Sequence, residues 1–283
     1  MNPLKPQHRG LLPLFILLLA ASVAAMILLR ECSRSKTGIG DGGFVKSLGD
    51  TLDVAVDYGP MSLYVDGDSM SGFNYEVLRA IENQTGIPMK IHPFTSLDSV
   101  LQMLDDGQFD FVVTDAPITL DYESRFEFTE PIYLDRQVLV EHSPDSTSGF
   151  KPVRSQLDLA GRSVWVVAGS PTEGRLHNLM SEIGDTIYIM SDPNYSSELL
   201  YMLTSIGEIK LCVVNERVAK SMEENGGGAK IASGVSFTQF QGWMIAKSNV
   251  ALKQRLDSAL NVYRRGEEYE RLCERYGVRK VEE

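Results

Sequence analysis

Short apolar segments alternate with helical segments over most of the chain, and this alternation is the feature that most constrains the fold. Residues 51–58 (TLDVAVDY), 88–94 (PMKIHPF) and 109–115 (FDFVVTD) are predicted strands because they are short and rich in apolar and β-branched residues. Residues 72–86 and 96–108 carry apolar side chains at helical spacing and end near glycines, which predicts helices. A β-α-β-α-β order predicts a parallel sheet with helices on both faces.

A second unit of the same kind follows at residues 163–225, where three predicted strands alternate with three predicted helices. Strand-like segments at 131–143 and 237–248 lie on either side of it, so the chain crosses to a second lobe and returns. We therefore predict an α/β fold of two lobes joined by a two-strand hinge. Open α/β sheets bind ligands beyond the carboxyl ends of their strands, which makes the cleft between the lobes the predicted site. The predicted boundaries are 50–140 and 236–283 for lobe 1, and 141–235 for lobe 2.

The N-terminal part of the chain differs from the rest. Residues 11–29 contain no charged side chain and are long enough to cross a bilayer as a helix, which takes roughly 20 apolar residues. We predict that residues 1–32 form an uncleaved membrane anchor with one transmembrane helix, and that residues 33–49, rich in Gly and Ser, form a flexible tether. The alternative is lipoprotein processing at Cys32. The expected location is the inner membrane, with the binding domain facing the periplasm.

Charge and cysteine usage exclude several classes of function. The net charge is -11, from 38 acidic and 27 basic residues, and no basic stripe could follow a phosphate backbone, so nucleic acid is not an expected partner. The three cysteines and four histidines are scattered without metal-ligand spacing. We predict no metal and no cofactor.

Six segments stand in an informative order: GFNYEVLRAI, LDDGQFDFVVTDAPIT, FEFTEPIY, LAGRSVWVVAGSPTE, GWMIAKSN and RRGEEYERLCERYG. This order resembles the family 3 extracellular solute-binding proteins, which have the type II periplasmic binding protein fold, from about residue 51 to residue 278. The stretch APITLDYESRFEFTEPIYLDRQVLV also resembles the N-terminal sensory domain of membrane-bound lytic transglycosylase F. Only RKVEE follows the closing helix, so we expect a binding module without the catalytic domain.

The resemblance implies ligand-binding residues in the first lobe. Tyr58 stands where an aromatic covers the ligand, and the turn after the third strand supplies Thr114, Asp115 and Thr119. The alternative for Tyr58 is a strand-end aromatic packed on the hinge. A buried carboxylate is costly unless it is paired, so Asp115 either meets a ligand amine or points to water.

In the second lobe, Ser170 and Thr172 lie at a predicted helix N-terminus, where free N–H groups and the positive end of the helix dipole suit a carboxylate. The alternative is simple helix capping by the same side chains. Asn215 stands where family members usually place an aspartate that pairs with the ligand ammonium. An asparagine still hydrogen-bonds but supplies no charge.

A second departure from the family concerns the arginine that binds the ligand carboxylate. The family places it three residues after the threonine of the turn, where this chain has Tyr122, and Arg125 follows three residues later. We expect Arg125 to reach the cleft only if the turn is rearranged, so it is an additional ligand-binding candidate. Together the two departures weaken the expectation that the ligand is a free amino acid.

Three hypotheses follow from the sequence. The first is an anchored, non-catalytic binding protein that closes on an amino acid, a peptide or a muropeptide-like cell-wall fragment, with an ABC permease or a cell-wall enzyme as partner. The second is a degenerate module that regulates, or binds as a protein partner, a separate cell-wall enzyme. The third, an enzyme, requires convergent titratable groups in the cleft, of which the sequence offers only Asp115.

Overall fold

A computed structural model describes residues 51–143 and 151–281. The predicted anchor at 1–32, its alternative at Cys32 and the tether at 33–49 lie outside these residues, so they and the location drawn from them stay predictions. Within the described ranges, no helix has the length and hydrophobicity needed to cross a membrane.

The structure alternates strands and helices as the sequence predicts. In chain order the strands are β1 (Leu52–Asp57), β2 (Tyr64–Asp66), β3 (Ser69–Ser71), β4 (Met89–Phe94), β5 (Phe111–Val113), β6 (Phe126–Phe128), β7 (Tyr133–Asp135), β8 (Gln137–His142), β9 (Ser163–Val167), β10 (Tyr188–Asp192), β11 (Leu211–Asn215), β12 (Ala229–Gly234), β13 (Gln239–Gln241) and β14 (Met244–Ala246). The α-helices are α1 (Phe73–Thr85), α2 (Leu97–Asp105), α3 (Leu120–Arg125), α4 (Pro171–Ile183), α5 (Ser197–Ser205), α6 (Glu216–Glu224), α7 (Val250–Arg264) and α8 (Glu267–Tyr276). A short 3₁₀ helix spans Gln156–Leu159.

The first lobe is built on a sheet with strand order β4-β1-β5-β14-β6. Strand β1 pairs in parallel with β4 and with β5, which confirms the predicted β-α-β-α-β unit. Gly86 follows α1 with φ 67°, a left-handed conformation that suits glycine because it has no Cβ. The glycine therefore marks the end of the helix, as the sequence predicts.

The second lobe is built on a sheet with strand order β10-β9-β11-β8-β12. Strands β9, β10 and β11 are parallel, β8 is antiparallel to β11, and β12 at the edge pairs antiparallel with β8. Strand β8 thus belongs to the second lobe, and the first crossing lies at Arg136 rather than at the predicted residue 140. The apolar residues of a strand indicate that the strand is buried. They do not indicate which of the two sheets it joins.

Two chain segments connect the lobes and form the predicted two-strand hinge. Strands β7 and β13 pair antiparallel beside the two crossings. Near the C-terminus, Arg279 pairs with Leu134 of β7, and its guanidinium contacts Glu216 of α6 at 2.9 Å. The predicted α/β fold of two lobes joined by a two-strand hinge is confirmed.

The closing helices return to the first lobe, as expected from the sequence. Helices α7 and α8 share one buried cluster with α1, in which Val77, Leu256 and Leu272 are at most 4% exposed. The predicted single helical segment is two helices, because the chain breaks at Gly266. Cys273, in α8, is a buried free thiol.

Candidate functional site

Residues of both lobes line a small cavity of about 40 Å³, here called the inner cavity. It lies where β1, β5, β9 and β11 end, which is the edge where open α/β sheets bind ligands. The polar residues that line it come from both lobes: Asp57, Thr95, Thr114, Asp115, Gln137, Ser170, Thr172, Ser196, Ser197 and Asn215.

Five of the eight sequence-predicted site residues meet at this cavity: Thr114, Asp115, Ser170, Thr172 and Asn215. Three others lie outside it: Tyr58, Thr119 and Arg125. The structure shows where these eight residues lie. The ligand-binding role of each residue stays a prediction.

Arg125, expected in the cleft only if the turn is rearranged, lines neither the inner cavity nor the larger space beside it. Its guanidinium forms an ion pair with the carboxylate of Asp105 at 2.5 Å and lies over the ring of Phe126, 4.9 Å from the ring centroid. The side chain of Arg125 is half exposed. The end of α2 and an aromatic ring therefore hold the arginine on the outer surface of the first lobe.

Tyr122, rather than Arg125, is the buried side chain of this segment. It is buried, and its hydroxyl donates a hydrogen bond to the carbonyl oxygen of Gly169 at 2.9 Å. Gly169 follows β9 in the second lobe, so this bond crosses from one lobe to the other. Thr119 supports the arrangement because its hydroxyl accepts from the backbone N–H of Tyr122 at 3.4 Å and caps α3.

Three carboxyl groups lie near one another: Asp57 and Asp115 line the inner cavity, and Glu198 is close enough for its charge to act on Asp57. Burial raises the pKa of Asp57, and the negative charges of Asp115 and Glu198 raise it further. Burial raises the pKa of Asp115 to about 6, against the effect of hydrogen bonds from Asn215 and Asp57. Burial and the charge of Asp115 raise the pKa of Glu198 to about 7.

The carboxyl groups of Asp57 and Asp115 lie close enough to share a hydrogen bond, which forms when one of the two carries a proton. Sequence reasoning did not select Asp57 or Glu198. The position of Asp57 at the end of β1 was a usable signal, because that end faces the cleft. Glu198 carried no such signal, because an acidic residue in the first turn of a helix is common.

A chain of polar side chains connects the hinge to both lobes. The amide nitrogen of Asn215 donates to the backbone oxygen of Asp115 at 2.6 Å, across the cleft. Gln137, the first residue of β8, donates its amide to Asn215 and accepts from the hydroxyl of Thr172 at 3.4 Å. Sequence reasoning missed Gln137 because it stands in an apolar crossover segment.

Ser170 is different from its neighbours in this network. It stands at the N-terminus of α4, but its side chain makes no capping hydrogen bond. Its buried hydroxyl has no hydrogen-bond partner among the described residues. The capping alternative for Ser170 is therefore not what the structure shows, and the hydroxyl is available to a ligand in the inner cavity.

A larger space, here called the outer chamber, adjoins the inner cavity. Its volume is about 770 Å³, and Thr95 and Ser196 line both spaces. Tyr58, 44% exposed, lines this chamber together with Glu198. Across the cleft Glu198 approaches Gly59 so closely that a Cβ at Gly59 would lie 2.1 Å from the carboxylate oxygen.

Metal binding is not indicated in the part of the chain that the structure describes. No group of three or more His, Cys, Asp or Glu side chains there has the arrangement of a metal site. The three carboxyl groups of the cleft can instead accept hydrogen bonds from an organic cation, such as an ammonium or a guanidinium group.

The fold and the cleft define a two-lobed binding protein, and comparison with known families agrees. The family model described as "Bacterial extracellular solute-binding proteins, family 3" matches residues 51–279. The chain belongs to this family.

Curated relatives are membrane-bound lytic murein transglycosylases F. The protein from Ectopseudomonas mendocina is 25% identical over 236 residues, which is 82% of this chain and 46% of the relative. The protein from Desulfosudis oleivorans is 22% identical over 215 residues, which is 76% of this chain and 46% of the relative. The chain thus spans less than half the length of these relatives.

Solved structures share the fold. An ancestral arginine-binding protein bound to glutamine has a TM-score of 0.69 and 20% identity, over 81% of this chain and 99% of the other. An amino acid ABC transporter substrate-binding protein from Streptococcus pneumoniae bound to L-arginine has a TM-score of 0.66 and 23% identity, over 80% of this chain and 94% of the other.

Proposed function

We propose that this chain is a non-catalytic, extracytoplasmic binding protein, anchored by its N-terminal segment, that closes two lobes on a small ligand bearing a positive charge. The observation that carries the proposal is the pair of carboxyl groups that line the inner cavity, Asp57 and Asp115, with Glu198 next to them in the wall of the outer chamber. Among the residues that line this cavity, none is a lysine, an arginine or a histidine. A cation in the cavity would therefore meet negative charges that no basic side chain of the lining neutralises.

The electrostatics explain why the ligand is expected to be a cation. Three neighbouring carboxyl groups do not all ionise readily, since each negative charge disfavours the next. A bound ammonium or guanidinium group would lower their pKa values and receive charge-assisted hydrogen bonds from them. Asp115 and Glu198 come from different lobes, so the same cation would also hold the cleft closed.

The second polar group of the ligand is expected at α4. The hydroxyl of Ser170 and the N-terminal end of the helix favour an oxygen acceptor, such as a carboxylate or a peptide carbonyl. Amino acids, peptides and muropeptide-like cell-wall fragments all carry a cationic group next to such an oxygen. Structural neighbours bound to glutamine and to L-arginine support this choice.

The anchor, the periplasmic location and the partner are parts of the same proposal. The apolar segment at residues 11–29 supports membrane attachment. An ABC permease is the partner that the family suggests, and a cell-wall enzyme is the partner that the transglycosylase relatives suggest. The second proposal, a regulator of such an enzyme, rests on the match to less than half of these relatives.

One observation supports an alternative function, in which the protein is an enzyme. Asp57, Asp115 and Glu198 meet the requirement for convergent titratable groups, and paired carboxyl groups with raised pKa values suit acid and base catalysis. Mass analysis of each bound ligand after long incubation separates the two functions: an unchanged ligand supports binding, whereas a change in mass identifies an enzyme.

The test of binding is thermal unfolding of the full chain with free L-amino acids and short peptides, each compared with its N-acetylated form. Ligands with a free ammonium should raise the unfolding temperature, and a ligand at 100 times its Kd adds about 2.7 kcal/mol. Asp115→Asn should weaken binding by about tenfold, the loss of one charged hydrogen bond. Asp105→Asn, which removes a surface carboxylate, is the control. Equal stabilisation by free and acetylated compounds would reject a cationic ligand.

A further inference from the structure

The outer chamber offers far more space than the inner cavity that it adjoins. Its volume of about 770 Å³ falls in the range of about 300 to 1,000 Å³ that is usual for ligand pockets, whereas the inner cavity has about 40 Å³. In the arrangement that the structure describes, the inner cavity has room for a small charged group, not for a whole amino acid with its side chain. The rest of a ligand must extend into the chamber.

The walls of the outer chamber suit an extended molecule that is partly apolar. Tyr58, Tyr64 and Tyr276 line the side of the first lobe, and Met202, 53% exposed, lines the side of the second. Tyrosine rings and methionine accept varied side chains by packing. The outer chamber can therefore accept an extended ligand with several different groups, rather than a ligand of one fixed shape.

Charge on the chamber walls is mostly balanced, unlike charge at the inner cavity. Arg217 pairs with Glu224 at 2.9 Å, and Arg275 forms an ion pair with Glu76. Glu198 lies at the junction of the two spaces, close to Gly59. A single positive charge on the ligand is therefore placed best at the inner end, with neutral groups outside.

We propose that the ligand is a short peptide that places its free N-terminal ammonium in the inner cavity and its following residues in the outer chamber. This inference rests on the proposed function and adds the size and the direction of the ligand. The ammonium meets Asp57, Asp115 and Glu198, and the first carbonyl oxygen accepts from the hydroxyl of Ser170. The peptide bonds and side chains that follow contact the tyrosines and Met202.

The test compares two sets of compounds on the full chain in a mild detergent. One set is the free L-amino acids, and the other is the tripeptides that carry each amino acid followed by two alanines. Titration calorimetry should show that the best tripeptide binds about tenfold more tightly than its own first amino acid. Acetylation of that tripeptide at its amino end should weaken binding by about tenfold or more, since the acetylated nitrogen carries no charge.

Two variants test the location of the peptide. Met202→Trp fills part of the outer chamber from an exposed position and should weaken tripeptide binding about fivefold or more, while amino acid binding changes less than about twofold. Met103→Trp is the matched control, because Met103 is 39% exposed in α2 and lines neither space. It should change neither affinity.

The possible results separate this inference from the function beneath it. Amino acids that bind as tightly as the tripeptides, or tripeptide binding that Met202→Trp leaves unchanged, overturn the peptide assignment alone. Equal binding of free and acetylated tripeptides overturns the inward direction of the ammonium. If neither set of compounds binds, the proposed cationic ligand fails as well.

Discussion

The hydroxyl of Tyr122 donates a hydrogen bond to the carbonyl oxygen of Gly169 at 2.9 Å and thereby joins the two lobes. A tyrosine stands here at the place where the family pattern has a ligand-binding arginine. The side chain at this place therefore makes a contact between the two lobes. The carboxyl groups of the cleft have no basic neighbour among the residues that line the inner cavity.

Tyr122→Phe should weaken the closed arrangement. A hydrogen bond of this kind contributes about 0.5 to 1.5 kcal/mol net, so ligand affinity should fall about two- to twelvefold while the fold is kept. Small-angle scattering of the free protein should show a larger radius of gyration. Tyr75→Phe is the control, because the Tyr75 hydroxyl only accepts from Arg79 on an exposed face. Equal effects of both variants would contradict the role of Tyr122.

Gly59→Ala should disturb the junction between the inner cavity and the outer chamber. The added methyl would lie 2.1 Å from the carboxylate oxygen of Glu198, which must then move away from the ligand site. We expect about a tenfold loss of affinity for a cationic ligand, measured by calorimetry. Gly174→Ala in α4 is the control, since its nearest neighbour would be an Asp121 oxygen at 3.8 Å. An unchanged affinity would show that Glu198 does not contact the ligand.

The stability of the ligand-free protein should fall as pH rises from about 4 to about 7. The pKa values of Asp57, Asp115 and Glu198 are raised in the folded state, so the folded state holds protons that the unfolded state releases at lower pH. Their stabilising effect is complete below the unfolded pKa, near 4, and is lost as pH passes the folded values. Asp135 at the hinge, with its pKa raised to about 7 by burial, acts in the same direction.

Chemical denaturation at several pH values measures this slope, and we expect a loss of about 1 to 3 kcal/mol. Asp57→Asn should flatten it, because an asparagine amide donates to Asp115 at every pH. Asp105→Asn should leave it unchanged. Ligand affinity should show the opposite trend and rise with pH, since a cation favours ionised carboxylates. A pH-independent stability would contradict the carboxyl pairing.

Arg125→Gln should leave ligand affinity unchanged within about twofold. The guanidinium pairs with Asp105 at the surface, and an exposed pair of this kind contributes about 0 to 1 kcal/mol to stability. Arg136→Gln should cost more stability, because Arg136 makes two hydrogen bonds to Glu216, whose side chain is 8% exposed. Denaturation and calorimetry on both variants test this contrast. A large loss of affinity in Arg125→Gln would restore its predicted role in the site.

Local signals in the sequence predicted much of the fold. Apolar periodicity identified the main strands and helices, and Gly86 marked the end of α1. These signals are reliable because each depends on the conformation of one residue or one turn. The hairpin of β2 and β3 was missed, since strands of three residues carry too short a pattern.

Contacts between distant residues were predicted less well. Strand position brought Thr114 and Asn215 to the cleft, because the ends of parallel strands share an edge. Arg125 lies at the surface, where it pairs with Asp105, a residue 20 positions away in the sequence. Glu198 became a cleft residue through closure of the second lobe over Gly59, which no spacing in the sequence records.

The sequence by itself determined the order of strands and helices, the two lobes, the hinge and the edge at which ligands are expected, because hydrophobic periodicity and turn residues act over short distances. Only the tertiary structure decided which side chains face one another across the cleft. It brought Tyr122 into hydrogen-bonding contact with Gly169, placed Asp57 next to Asp115, and placed Arg125 in an ion pair at the surface. Those outcomes depend on the packing of two lobes whose facing residues are far apart in the chain.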